Sequence, residues 1–218
     1  KIVSGERVAI VGASGAGKSS LIKSVAGVWP LREGAIRIDG GDYSQWDGNR
    51  LGKHIGYLPQ EVDLFPGTVA ENIARMGEVD DQGVFAAARS AGAHEAILRL
   101  PNGYDTLIGE GGISLSGGMR QRVGLARALV MHSKLLLMDE AFSALDVLTA
   151  ETLRTDLIDL WSEGRLPIRS ILMVTHNIEE AVLMSDRILL MSSSPGRITA
   201  EIQVELPQPR NRQDPEFR

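Results

Sequence analysis

The sequence predicts an α/β fold in which a mainly parallel sheet is flanked by helices and a helical subdomain is inserted into the chain. Short apolar runs rich in β-branched residues alternate with stretches that have helical spacing, which is typical of a parallel sheet covered by helices. Residues 68–131 have mostly helical spacing and predict the insertion. Ile198–Leu206 alternates apolar with polar residues, as an antiparallel edge strand does.

Each of the other predicted strands is a short apolar run bounded by glycine, aspartate, proline or a polar segment. They are Arg7–Val11, Ala35–Ile38, Ile55–Leu58, Lys134–Met138, Ser170–Val174 and Asp186–Met191. The predicted helices outside the insertion are 18–26, 147–161 and 178–184.

The length of 218 residues fits one domain. We predict a core formed by 1–67 and 132–206, the helical subdomain at 68–131, and a loose, polar, proline-containing tail at 207–218.

Composition excludes several classes of function. The net charge is −5 without a run of Lys or Arg, so nucleic-acid binding is not expected. No apolar run reaches about 18 residues and the start does not have the form of a signal peptide, so we expect no direct membrane insertion. Cysteine is absent, which excludes disulfides and Cys-ligated metals and fits a reducing, cytoplasmic location.

The strongest motif is a phosphate loop that follows the first predicted strand and opens a helix. It matches the pattern G-x-x-x-x-G-K-[ST] in full, and its glycines allow backbone N–H groups to surround an anion. Lys18 can reach the β- and γ-phosphates of ATP, and the Ser19 hydroxyl can ligate Mg²⁺. The alternative, a glycine-rich turn without a ligand, does not account for the strand before it and the helix after it. The predicted contacts are Gly12, Ser14, Gly15, Ala16, Gly17, Lys18, Ser19 and Ser20.

Two acids, Asp139 and Glu140, end the apolar strand before them. Strand ends of a parallel sheet line the ligand crevice, so Asp139 is predicted to hold Mg²⁺ and Glu140 to polarise the attacking water. Taken alone, the pair is more typical of acids that cap the next helix or lie in its first turn. Beside a complete phosphate loop, we favour the catalytic interpretation.

Leu115–Arg122 predicts a second helix start able to bind an anion. Ser116 is suited to the N-cap, and Gly117 and Gly118 leave backbone amides exposed. The alternative is a glycine-containing cap without function.

These motifs and their order resemble the ABC ATPases, in which LSGG is the signature. The resemblance implies a P-loop NTPase fold and Mg²⁺-dependent ATP hydrolysis that drives transport. It also implies that Gln60 contacts Mg²⁺ and the lytic water, that His176 contacts the γ-phosphate, and that Ser143–Asp146 reaches across a dimer interface. The implied dimer is head to tail, as a homodimer or heterodimer. Each ATP would lie between one phosphate loop and the partner's Ser116–Gly118, with Asp146 nearby.

The resemblance further implies membrane-spanning partner domains and a peripheral position at the inner face of the membrane. The chain is similar to two branches. Ile55–Glu71 and Leu100–Gly112 resemble type I secretion exporters, whereas the sequence from Met119 onward resembles importers of the nitrate, sulfonate and taurine group. We therefore weigh a chimera, natural or constructed, against a single divergent lineage.

Only eleven residues precede Gly12, and none is aromatic. Related ATPases carry antiparallel strands and an adenine-stacking aromatic there, so we expect both to be missing and ATP affinity to fall by about 1–3 kcal/mol unless another chain supplies the contact. The leading function is thus a transport ATPase. The alternatives are a nucleotide-binding module with little turnover and an ABC ATPase acting on DNA or ribosomes. The second alternative predicts a basic patch or a long coiled-coil insertion, and the sequence shows neither.

Overall fold

The computed structural model describes residues 1–109 and 114–208, together with Arg210 and Phe217, except for the side chain of Asn49. Most of the predicted tail 207–218, and the end of the exporter-like run at 110–112, lie outside the described residues. The strands are β1 Arg7–Gly12, β2 Arg37–Ile38, β3 Gly41–Asp42, β4 Ile55–Leu58, β5 Gly67–Thr68, β6 Leu107–Ile108, β7 Leu135–Asp139, β8 Ser170–Thr175, β9 Arg187–Ser192 and β10 Arg197–Gln203. The helices are α1 Lys18–Val25, α2 Gly48–Leu51, α3 Val69–Ile73, α4 Asp81–Ser90, α5 His94–Leu98, α6 Gly117–Leu129, α7 Val147–Ser162 and α8 Ile178–Met184.

The main sheet has six strands in the order β10-β9-β1-β8-β7-β4. β1 runs parallel to β8 and β9, and β7 runs parallel to β8. Only β10 is antiparallel among these pairs, and it lies at the edge beside β9. The mainly parallel α/β fold is confirmed.

The central strands are buried because apolar residues run almost without interruption along them. Every residue of β8 is buried, as are the first five residues of β1. Ile22 of α1 packs with Val8, Leu137 and Leu172 in the core of the sheet. Near-continuous burial is the pattern expected of parallel strands covered on both faces.

The predicted strand Ala35–Ile38 is shorter than expected. Only Arg37–Ile38 is extended, and it pairs with Gly41–Asp42 in a separate two-stranded ribbon. The run Val84–Leu100, which has helical spacing throughout, divides into α4 and α5. Gly92 interrupts it with φ of 61°, and a Cβ at this position would collide with the guanidinium of Arg122. Local spacing could not show this contact, because Arg122 lies thirty residues away in sequence.

The chain forms two compact units. The first comprises Lys1–Tyr57, Lys134–Glu140 and Arg169–Arg218, and the second comprises Leu58–Ser133 and Ala141–Ile168. The predicted division instead assigns 58–67, 132–133 and 141–168 to the core. As a functional division into core and signature subdomain, it stays a prediction.

In the second unit, a buried asparagine organises the segment that precedes α3. The Asn72 amide donates to the Phe65 and Thr68 carbonyls, at 2.8 and 3.0 Å, and its oxygen accepts from the Phe65 amide. Arg127 of α6 donates to the same oxygen across 2.9 Å. Thr68 completes a capping box with Glu71.

In the part of the chain that is described, no helix combines the length and apolarity needed to cross a membrane.

Candidate functional site

The phosphate loop connects the end of β1 to the start of α1, as predicted. Gly15 and Gly17 have φ of 80° and 95°, in the left-handed region that favours glycine. Gly12 has no room for a side chain, because a Cβ would collide with the carbonyl oxygen of Met191 on the neighbouring strand β9. Of the other loop residues predicted to contact nucleotide, Ser14 and Ser20 are exposed, whereas Ala16 is buried.

Lys18 is folded over the loop that precedes it. Its side chain is 3% exposed, and its ammonium donates to the carbonyls of Gly12 and Ala13 at 2.9 and 3.1 Å. The same ammonium lies 3.5 Å from a carboxylate oxygen of Glu140. The buried Lys18 ammonium thus contacts the phosphate loop on one side and the residue that follows β7 on the other.

Asp139 receives a hydrogen bond on each carboxylate oxygen. Ser19 Oγ donates to Oδ1 across 2.7 Å, and the Tyr57 hydroxyl donates to Oδ2 across 3.1 Å. Burial raises the pKa of Tyr57, and the negative charge of Asp139 and the hydrogen bond raise it further, so the phenol keeps its proton. Ser19 and Asp139 are 120 residues apart in sequence, and the parallel sheet brings them together.

Glu140 is held in an unusual backbone conformation, with φ of 46°. Its amide donates to the Val174 carbonyl of β8 across 2.9 Å. Its second carboxylate oxygen lies 2.9 Å from Nδ1 of His176, whose side chain is 57% exposed. Lys18, Glu140 and His176 therefore form a continuous line of charged and polar groups.

The turn after β8 fixes the position of His176. The Asn177 amide donates to Oγ1 of Thr175 across 3.0 Å, and the Asn177 side chain caps α8 by accepting from the Glu180 amide at 3.1 Å. The Thr175 hydroxyl in turn donates to the buried carboxylate of Glu180. Polar partners on both sides thus hold the short segment that carries the histidine.

The donor chemistry at Ser19 and Asp139 fits Mg²⁺. This ion prefers oxygen ligands and usually takes only one or two from protein, with phosphates and water supplying the others. A hydroxyl and a carboxylate already in contact match that requirement. Within residues 1–109 and 114–208, no cluster of three or more His, Cys, Asp or Glu side chains suits a metal ion.

The remaining predicted site residues lie in the second unit. Ser116 caps α6 by accepting from the Met119 amide at 3.3 Å, and Gly117 and Gly118 form the first turn, as predicted. Exposed Gln60 lines a cleft of about 540 Å³ with Gly117. These residues belong to the second unit, whereas Lys18, Asp139 and Glu140 belong to the first.

Asp146 lies immediately before α7 and caps it. Its carboxylate accepts from the Thr149 amide at 3.0 Å, and hydrogen bonds from Thr149 lower the pKa of Asp146. The Asp146 carboxylate thus stabilises the start of α7, where the loop that follows Glu140 ends.

Sequence reasoning missed two residues that lie against Asp139 and the phosphate loop, Tyr57 and Gly196, and a third residue, Gln121, in the second unit. Tyr57 belongs to the run around Gln60, but a tyrosine in a strand gives no sign of a distant acidic partner. Gly196, in the β9–β10 turn, packs so closely that a Cβ would lie 2.5 Å from the Ala16 carbonyl oxygen. Gln121 lies within the signature run, where a polar residue gives no sign of the distant backbone carbonyls that it contacts.

Known proteins resemble the chain over most of its length. The family profile of the ABC transporter matches residues 1–143. The type I secretion system ATP-binding protein PrsD of Rhizobium meliloti is 44% identical over 197 residues, which cover 90% of this chain and 33% of PrsD. The cyclolysin secretion/processing ATP-binding protein CyaB of Bordetella pertussis is 42% identical over 193 residues, which cover 88% of this chain and 26% of CyaB.

A solved structure, that of a bacterial Atm1-family ABC exporter with ATP bound, matches with a TM-score of 0.80 and 37% identity. The match covers 93% of this chain and 34% of the exporter chain. The chain thus spans about a third or less of the length of these relatives. With the profile match extending through the phosphate loop, the signature and the acids Asp139 and Glu140, the chain belongs to the ABC transporter family.

Proposed function

We propose that the chain is the ATP-binding and ATP-hydrolysing domain of an ABC-type transporter. The observation that carries the proposal is the convergence of Lys18, Glu140 and His176 at the carboxyl ends of β1, β7 and β8. Ligands of open parallel sheets bind at this edge. A buried ammonium beside a carboxylate and an imidazole offers charge for phosphate oxygens and a base for water.

Each residue has a proposed role. The backbone amides of the phosphate loop and the Lys18 ammonium hold the β- and γ-phosphates, and Glu140 orients and polarises the attacking water. Ser19 and Asp139 hold Mg²⁺ with help from Gln60, and the ion neutralises charge that develops on the phosphates. His176 holds Glu140 on one side and the γ-phosphate on the other.

We also propose that two such domains pair on ATP, as a homodimer or heterodimer. Ser116, Gly117 and Gly118 would present the N-terminal amides of α6 to the partner's nucleotide, with Asp146 beside them. The pair would act on membrane-spanning domains while remaining peripheral at the cytoplasmic face. The names of PrsD and CyaB, both secretion proteins, favour export as the direction of transport.

The origin of the chain stays a hypothesis. Its importer-like run after Met119 supports a chimera. The alignment with PrsD, however, covers 90% of the chain and so extends well past Met119, which favours a single exporter lineage.

The alternative is a module that binds nucleotide with little turnover. The contacts of Lys18 favour it, because the Gly12 and Ala13 carbonyls and Glu140 already surround the ammonium. These contacts must rearrange before the ammonium can bind phosphate oxygens.

Phosphate release with Mg²⁺ and ATP separates the two functions. We expect turnover by the wild type and a loss of about 100-fold or more in Glu140→Gln, because removal of a general base typically costs that much. Glu163→Gln, at the exposed end of α7, is the matched control and should leave the rate unchanged. Equal rates of phosphate release for wild type and Glu140→Gln would exclude the proposed ATPase function. Light scattering of Glu140→Gln with Mg²⁺ and ATP should also detect a dimer.

A further inference from the structure

Gln121 is a buried polar residue in α6, five positions after the cap Ser116. It is 4% exposed. Its side-chain nitrogen donates to two backbone carbonyls, that of Pro59 across 3.0 Å and that of Ala141 across 2.6 Å. These residues belong to the second unit, although they are separated by 62 and 20 positions in sequence. One side chain therefore connects three distant stretches of chain.

The two carbonyls belong to residues next to the proposed catalytic groups. Pro59 directly precedes Gln60, and Ala141 directly follows Glu140. The Pro59 carbonyl belongs to the peptide that leads directly to Gln60, and the Ala141 carbonyl belongs to the peptide one residue beyond Glu140. Hydrogen bonds to these carbonyls restrict the backbone next to both functional residues. The helix carrying this amide begins at Ser116 and Gly117, the proposed contacts with the partner's nucleotide.

The chemistry of these contacts is specific to a primary amide. Its –NH₂ group has two hydrogens, one for each carbonyl, and carries no charge. A carboxylate would face two carbonyl oxygens without a hydrogen to donate, and an apolar side chain would leave both carbonyls without this partner. The hydrogen bond to Ala141 is buried, so water cannot readily replace it.

We infer that Gln121 is a positioning residue for the proposed ATP hydrolysis: it holds the peptides beside Gln60 and Glu140 in register with the signature helix. The inference rests on the proposed function. Gln121 itself contacts neither nucleotide nor water in this role, and it acts through the two neighbouring backbones. Its loss should therefore impair turnover more than nucleotide binding.

The first experiment compares Gln121→Met with Leu125→Met, which introduces the same residue at another buried position of α6. We expect Gln121→Met to lower kcat for phosphate release at least about tenfold, while the Kd for ATP, measured by calorimetry, changes less than about twofold. Leu125→Met should leave both values within about twofold of wild type. Equal kcat values in wild type and Gln121→Met, or a parallel loss of binding and turnover, would overturn the inference.

A second variant covers the case in which Gln121→Met does not fold. Gln121→Glu places a carboxyl beside two carbonyls, where only its protonated form donates a hydrogen bond. Its kcat relative to wild type should therefore rise as pH is lowered from 8.5 to 6.5. A relative kcat that does not change with pH would argue against positioning through this contact.

Amide hydrogen exchange separates failure of this inference from failure of the proposed function. If the wild type releases no phosphate, the proposed hydrolysis fails, but positioning can still be measured. In Gln121→Met, exchange within 60–64 and 141–145 should accelerate at least about fivefold, and in Leu125→Met it should not. Unchanged exchange in both segments would refute the positioning role whether or not the chain is an ATPase.

Discussion

Tyr57 and Asp139 are joined by a hydrogen bond of 3.1 Å, which directs the phenol at the oxygen opposite Ser19. The carboxylate proposed to hold Mg²⁺ therefore has a neutral donor on each side. Such outer partners orient a metal ligand and are usually needed for full metal affinity. Tyr57 thus adds an outer partner from β4 to the proposed metal site.

Replacing Tyr57 with Phe should weaken the response to Mg²⁺. The change removes one hydroxyl and keeps the ring, so Asp139 loses orientation while packing is preserved. We expect the Mg²⁺ concentration that gives half-maximal phosphate release to rise about tenfold, the lower end of the effect of outer partners on metal affinity. Tyr43→Phe, a half-buried tyrosine of the same unit, is the control. Superimposable Mg²⁺ titrations for wild type and Tyr57→Phe would show that the contact has no role in metal binding.

Replacing Lys18 with Met should impair ATP binding. The ammonium is the buried charge that the proposed site offers to phosphate oxygens, and charge-assisted hydrogen bonds are about twice as strong as neutral ones. We expect the Kd for ATP to rise at least about tenfold, measured by calorimetry. Lys23→Met, in the last turn of the same helix, should keep the wild-type Kd. Retention of wild-type affinity in Lys18→Met would contradict the proposed role.

The strands of the sheet and the location of the candidate site at its edge could be predicted from the sequence, because the strands and the phosphate loop are local patterns. β8 is a continuous buried run, and α8 has the predicted bounds Ile178–Met184. Once the strands are parallel, their carboxyl ends meet, so the proximity of Ser19 to Asp139 follows from the fold class.

The contacts that could not be predicted depend on long-range packing. Gly92 interrupts a helical run because the Arg122 guanidinium occupies the space beside it. Gln121 resembles any polar residue on a helix until the carbonyls of Pro59 and Ala141 are seen beside it. Spacing along the chain reports which face a residue occupies, but it does not report which backbone from elsewhere lies against that face.

Replacing Gly196 with Ala should reduce ATP affinity through the phosphate loop. A Cβ at Gly196 would lie 2.5 Å from the Ala16 carbonyl oxygen, so the β9–β10 turn or the loop must move. We expect the Kd for ATP to rise about three- to tenfold, since a displacement of a few tenths of an ångström misaligns several amides at once. Gly48→Ala, in a helix with nothing within 4 Å of the added Cβ, is the matched control. An unchanged Kd in Gly196→Ala would show that the turn yields without disturbing the loop.

The ion pair between Arg7 and Asp186 should make stability depend on pH in the acid range. Burial alone would raise the pKa of Asp186, but hydrogen bonds and positive charge from Arg7 outweigh it and lower the pKa. A lowered pKa contributes stability above the unfolded value of about 3.9, and this contribution is lost as pH falls through the folded value. Asp186→Asn should therefore be less stable than wild type at pH 7, and the difference should shrink below about pH 4.

We expect the free energy of unfolding at pH 7 to fall by about 1 kcal/mol in Asp186→Asn, because the side chain is 37% exposed and solvent weakens the pair. Urea unfolding followed by circular dichroism at pH 7, 4 and 3 measures both the loss and its pH dependence. Glu163→Gln breaks an exposed pair with Arg165 and should change the free energy by less than about 0.5 kcal/mol at each pH. A difference between Asp186→Asn and wild type that persists undiminished at pH 3 would mean that the carboxylate charge is not its source.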